Sequence, residues 1–202
     1  MRSLIALSGV AALALGTVPA ANAATLIYQA TLSGPAEFPP NASPGTGSSR
    51  LTIDTAAHSM RVEAAFAGLL GTTTAAHIHA PTAVPGTGTA GVATQVPSFI
   101  GFPLGVTSGS MDNTLDTLLA DTYNPAFVTN NGGTTAGAES ALLAALSERR
   151  AYFNIHSTSF PGGEIRGFYS LIPEPATWAM MIAGFGLVGV AMRKAHRRIK
   201  VA

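Results

Sequence analysis

The 202-residue chain contains no cysteine. That excludes disulfide stapling, a thiolate metal site and a cysteine nucleophile, so stability has to come from core burial. Charge is also scarce: Asp, Glu, Lys and Arg make up 10% of the residues, and the formal net charge is +1. The basic part of that balance sits at the two ends. Between residues 24 and 172 there are five basic side chains, Arg50, Arg61, Arg149, Arg150 and Arg166. Nine acidic ones oppose them, leaving about −4. No basic patch remains to neutralise phosphates, which argues against nucleic acid as a partner. Tryptophan occurs once and histidine five times.

The first 23 residues, MRSLIALSGVAALALGTVPAANA, have the layout of a secretory signal peptide. A basic start at Arg2 precedes an apolar run and a small-residue finish, with cleavage expected after Ala23 in the Ala21-Asn22-Ala23-Ala24 stretch. Ser8, Gly9, Gly16 and Pro19 break the run and speak against a membrane anchor. Export through the Sec machinery is expected.

The other end, residues 173–202, opens with Pro173-Glu174-Pro175. An uncharged stretch follows from Ala176 to Met192, and then a cluster of Arg193, Lys194, Arg197, Arg198 and Lys200. Seventeen apolar-rich residues lie at the short limit for a transmembrane helix. The basic flank, with His196, would stay cytoplasmic and leave residues 24–172 outside. Trp178 stands where an interfacial aromatic is expected. This three-part tail resembles the PEP-CTERM sorting signal of Gram-negative bacteria. The resemblance implies recognition by an exosortase-type membrane protease. It also implies an inner-membrane-tethered intermediate facing the periplasm, and delivery to the cell surface or extracellular matrix.

About 150 residues lie between the ends, enough for one core. Their pattern is mainly β. Strands are expected at 26–34, in a hairpin over 48–66 that turns near Thr55–Ser59, at 72–80, at 108–116, and in a last pair at 151–157 and 164–172. Turn-rich stretches at 39–47 and 81–91 separate them. Residues 81–105 read as a long surface loop. AGAESALLAALSERR (136–150) is made of strong helix formers, with Leu142, Leu143 and Leu146 as an apolar stripe and Arg149-Arg150 at the negative end. The expected architecture is a Greek-key antiparallel β-sandwich with one short helix across its end.

Four blocks within this region are distinctive: ATLSGPAEFPPNASPGTG (30–47), TAAHIHAP (74–81), ALLAALSERRAYFNIHS (141–157) and FPGGEIRG (160–167). Together they resemble the CHRD domain, the module described in chordin. The resemblance implies an extracellular β domain acting as a binding or structural module, with a surface protein or an extracellular polysaccharide as partner. It implies no enzymatic activity.

The chemistry-bearing residues are the histidines. On a strand, alternate side chains share a face, so His77 and His79 point the same way, and His156 lies on a later strand. Three imidazoles suit copper or zinc and leave one coordination position open. The order of these histidines, with Arg166 shortly after, is similar to the copper side of Cu/Zn superoxide dismutases. That resemblance makes His77, His79 and His156 the copper ligands and Arg166 the anion-attracting arginine. The bridging histidine, the zinc subloop and the cysteine pair of those enzymes are lacking here. Glu164 or a backbone carbonyl would hold a ligand's other ring nitrogen. The alternative is a satisfied polar network of His77, His79, His156, Glu164 and Arg166 that pins sheet edges together.

Other residues carry less. Glu37 beside Pro39-Pro40 lies in the first of the four blocks and could approach the histidines, but a lone carboxylate in a Pro-rich loop reads as a turn former. His58 lies in the hairpin turn as a solvated side chain. Ser157 and Ser159 lack a third group for hydrolysis. Gly86, Gly88, Gly162 and Gly163 read as turn glycines.

Overall fold

A computed structural model describes residues 25–173 and, beyond them, Phe185 alone. The segment expected to be a signal peptide, with Ala21, Ala23 and Ala24 at its expected cleavage site, and Glu174, Pro175 and the apolar run of the tail apart from Phe185, lie outside the described residues. Among the described residues, no helix is long and apolar enough to cross a membrane.

The hydrophobic alternation becomes eight antiparallel strands: β1 Thr25–Ser33, β2 Thr46–Asp54, β3 Ser59–Ala67, β4 Thr73–His79, β5 Gly109–Asp116, β6 Tyr152–Ser157, β7 Ile165–Phe168 and β8 Ser170–Ile172. They form one continuous sheet in the order β4-β6-β7-β1-β2-β3-β5, with β8 extending the β7 side of β1. The sheet curls, giving the sandwich-like, mainly β fold that the sequence predicts. The curl brings the two terminal strands' lead-ins together: Leu69 N donates to Thr107 O and Thr73 N to Val106 O.

β2 and β3 show how register follows from the apolar pattern. Leu51, Ile53, Met60 and Val62 are buried on one face, while Arg50 opposes Glu63 and Glu63 opposes Asp112 on the other. The Arg61–Asp112 pair on that wet face is bidentate, at 2.7 and 2.5 Å. Being exposed and screened by solvent, it adds little to stability. The β2–β3 turn is held by Asp54, whose Oδ1 accepts from the N–H groups of Ala56 and Ala57.

Between residues 25 and 172 the described residues form two α-helices where one is expected. The longer, α2 (Thr135–Ser147), buries Ala138, Leu142, Ala145 and Leu146; Leu143 packs only partly. It ends in a Schellman motif: Arg149 N donates to Leu146 O and Arg150 N to Ala145 O. Arg149 takes the left-handed position, φ 57°, where glycine is usual. Arg150 then reaches back to the Thr82 carbonyl and Glu148, a more specific role than facing a helix dipole. The unexpected helix is α1 (Pro125–Asn130). Asn124 caps it by accepting from Ala126 N at 3.0 Å, with proline in its first turn.

The long stretch at 81–105 is not a surface loop throughout. It runs along the free edge of β4 and pairs with it: Ala93 N donates to Ile78 O, Phe99 N to Ala76 O and Gly105 N to Thr73 O. Ala93, Thr94 and Phe99 are buried. A row of open strand groups is thereby covered. The same loop roofs one face of β4, β6 and β7.

Candidate functional site

The strands β4, β6 and β7 are buried on both faces. One face, with Ala76, Ile78, Phe153, Ile155 and Ile165, enters the core. Cross-strand partners share a face, so the other is read off the register. His79 opposes Tyr152 and His77 opposes Asn154; next along, Ala75 opposes His156. On the far side Tyr152 opposes Phe168 and Asn154 opposes Arg166. The HxH spacing and the YxNxH of β6 thus put five polar or aromatic side chains on one surface, under the loops.

His77, His79 and His156 converge. One nitrogen from each lies within 4.8 Å of the others, and the ring centroids are 4.9 to 5.8 Å apart. The opposite nitrogen of each ring meets a main-chain carbonyl: His77 Nε2 at Pro97 O, 2.8 Å; His79 Nδ1 at Ala90 O, 2.9 Å; His156 Nδ1 at Pro161 O, 2.9 Å. A carbonyl can only accept, so these nitrogens carry the proton and each tautomer is fixed. The remaining atoms, His77 Nδ1, His79 Nε2 and His156 Nε2, are buried lone pairs with no hydrogen-bond partner.

The rings are held neutral. Burial, with the neighbouring imidazoles His156 and His79 second, pushes His77 down to about 4. Burial likewise lowers His79 to about 4, helped by His156 and Arg166 and opposed by its carbonyl bond. Burial lowers His156 as well. Neutral imidazole with one oriented N–H is the state that ligates a metal. Three nitrogens 4.8 Å apart would each need to move in by under about 1 Å to reach an ordinary metal–nitrogen length.

Beside the histidines lies a stacked column. The Tyr152 ring is parallel to His79 at 4.8 Å, and the Arg166 guanidinium lies 4.7 Å from the Tyr152 ring centre. Arg166 is 2% exposed. Its Nε donates to Ala36 O at 2.6 Å and its Nη1 to Gly88 O at 2.8 Å. The arginine expected to attract an anion therefore spends these donors on the loops. Glu37 approaches it at 3.7 Å. Burial raises the Glu37 carboxyl to about 7, against the lowering influence of Arg166. Glu37 Oε1 and Asn154 Oδ1 are also buried without a partner.

Glu164 does not join this group. It is fully buried, and its carboxylate accepts from Ser43 Oγ at 2.6 Å, Leu70 N at 2.5 Å and Gly71 N at 3.2 Å. Backbone carbonyls, not Glu164, meet the three rings, and the five-residue satisfied network is not formed. His58 stands apart and is not simply solvated: its Nδ1 meets Glu139 at 3.0 Å, and Thr117 Oγ1 also donates to Glu139. Ser157 is buried and accepts from Phe160 N, so no nucleophile–base pair arises. Tyr152 and Asn154 were not singled out from sequence; their alternation with His156 on one strand was the available signal. Glu37, read as a turn former, is a buried carboxyl.

The comparisons with known proteins bear on the whole chain. A CHRD domain model matches residues 28–169, and the PEP-CTERM protein-sorting motif matches residues 171–198. No curated protein and no solved structure matches the chain. The second match begins within β8, so the sorting motif follows the folded domain without a linker. It marks the chain for export and sorting to the bacterial cell surface. With seven-tenths of its length matched by one model, this chain belongs to the CHRD-domain family.

Proposed function

We propose that this surface-sorted domain is a metal-binding module, holding one copper or zinc ion through His77 Nδ1, His79 Nε2 and His156 Nε2. The observation that carries the reading is that one nitrogen of each ring lies within 4.8 Å of the others, and that each ring has one buried nitrogen unpartnered while a carbonyl fixes its other. Leaving a buried polar atom unsatisfied costs about 1–3 kcal/mol. A network built only to pin strands would bond these atoms to one another or to Glu164. A metal ion satisfies all three at once and leaves a position for one further ligand.

In this reading the chain leaves through Sec and is tethered by its tail in the inner membrane, facing the periplasm. An exosortase-type protease then processes it, and the domain reaches the surface or matrix of a Gram-negative cell. There it works by binding, with a surface protein or polysaccharide as its neighbour.

Elemental analysis of the exported protein, with Cu(II) and Zn(II) titrations of the metal-free form, tests the metal. One equivalent is expected, lost in both His77→Ala and His156→Ala. A protein that takes up no metal, with variants that are only less stable, would return the histidines to a structural role.

A further inference from the structure

The charges around the three histidines bear on which ion they hold. The ligand set is neutral. The chain has no cysteine, the Glu164 oxygens are engaged by Ser43, Leu70 and Gly71, and no carboxylate belongs to the convergent group. Nothing in that set offsets the charge of a bound cation. His77 and His79 are buried, so the ion would sit largely out of water. The cost of desolvating an ion rises with the square of its charge, and a dication is penalised about four times as heavily as a monocation.

A fixed positive charge adds to this. Arg166 lies within two stacking distances of His79, 4.7 Å to Tyr152 and 4.8 Å onward. Its nearest counter-charge, Glu37, is 3.7 Å from its Nε. A buried cation no more than about 10 Å from His79 disfavours each added unit of positive charge by roughly tenfold at an effective dielectric near 20. Coordination number points the same way. Cu(II) favours tetragonal sites and Zn(II) four ligands, and the three nitrogens supply one fewer than either asks for.

We infer that the site is built for a monovalent, closed-shell ion, Cu(I), and that the buried Arg166 beside Tyr152 sets that preference. The inference rests on the three-histidine metal reading. Arg166 acts here as a positioning charge and touches no metal.

The test uses the exported protein, stripped of metal. Cu(I) affinity is measured anaerobically against a chromophoric Cu(I) chelator, Cu(II) affinity against an aminocarboxylate chelator, and Zn(II) in parallel, with silver(I) as a redox-inert stand-in. Cu(I) is expected to bind one-to-one and more tightly than Cu(II) or Zn(II), and silver(I) to compete for the same site. Arg166→Gln should lower the Cu(I)-to-Cu(II) affinity ratio by about tenfold. Glu37→Gln, measured near pH 8, removes a negative charge and should raise it. Opposite signs in two neighbouring variants are not what a general loosening of the fold produces. Tighter Cu(II) or Zn(II) binding by the unaltered protein overturns the inference and leaves the metal site standing. If no metal binds in either state, or binding survives in His77→Ala, the underlying reading fails with it. Should Arg166→Gln not fold, the unaltered protein's ratio and Glu37→Gln still decide.

Discussion

Two buried polar groups lie side by side at one end of this domain, and they are finished differently. Around Glu164, the carboxylate accepts from one hydroxyl and two backbone N–H groups. Burial alone would raise its pKa, but the Ser157 and Ser43 hydroxyls beside it and the N–H groups of Leu70 and Gly71 outweigh that and hold it low. Around the histidines, five buried atoms lack partners: one on each imidazole, Glu37 Oε1 and Asn154 Oδ1. Among the described residues these are the only such side-chain atoms. A closed network holds loops in place; an open one, kept neutral by burial, leaves acceptors free for a ligand. Different loops finish the two groups: Ser43, Leu70 and Gly71 around Glu164, and Ala90, Pro97 and Pro161 around the histidines.

Acid should separate the two most strongly. The folded-state pKa values of His77 and His79 lie near 4, below the free imidazole value of about 6.5. Between those values the unfolded chain binds more protons, so the metal-free protein is most stable above about pH 6.5 and loses stability as pH falls through about 4. The loss for the pair is on the order of 5 kcal/mol. Glu37 works in the opposite sense: raised to about 7, it contributes below the ordinary carboxylate range and that contribution is lost as pH rises through about 7. Urea denaturation of the metal-free protein across this range should therefore show a net fall on acidification, steeper in Glu37→Gln. A flat profile would mean that the imidazoles are not held neutral by burial.

Breaking the closed network should come next in size. Glu164→Ala leaves Leu70 N, Gly71 N and Ser43 Oγ without their acceptor, at a cost of about 3 kcal/mol or more. The loss should be seen as a lower urea midpoint with an unchanged denaturant slope. A cost under about 1 kcal/mol would show that water readily replaces the carboxylate, and the contrast between the groups would collapse.

Much of this was readable from the residues alone, for reasons that also mark where reading stops. The strands follow from alternation in β2 and β3 and from the apolar runs of β1 and β6, and strand periodicity places His77 and His79 together. His156 joins them because it lies on β6, paired with β4. What could not be read are the carbonyls of Ala90, Pro97 and Pro161, which fix the tautomers. They belong to loop backbone, whose path carries no periodic signal. Glu37 was misjudged for the same reason: a Pro-rich loop says nothing about which strand face it will cover. Glu164 looked like a holder of one ligand's ring nitrogen, but the carboxylate accepts instead from Ser43 before β2 and from the chain that crosses between β3 and β4.

The smallest expected effect is the most local, because Gly163 joins the two groups. On one side its carbonyl and that of Glu164 accept from Asn41 Nδ2 at 3.3 and 3.0 Å. On the other, a Cβ at position 163 would lie 2.7 Å from Asn154 Oδ1 and 2.8 Å from Glu37 Oε1, two of the open network's unpartnered atoms. Its φ of 131° is one that side-chain-bearing residues rarely adopt. Gly163→Ala should therefore cost about 1–2 kcal/mol, less than Glu164→Ala, since the atoms it meets end side chains that can give way. Its mark should fall on the open group: displacing Glu37 and Asn154 changes the surroundings of Arg166, so metal affinity should shift by more than the small stability loss explains. If Gly163→Ala instead lowers stability as far as Glu164→Ala and leaves metal affinity untouched, the two groups are one structural unit and the distinction between them falls.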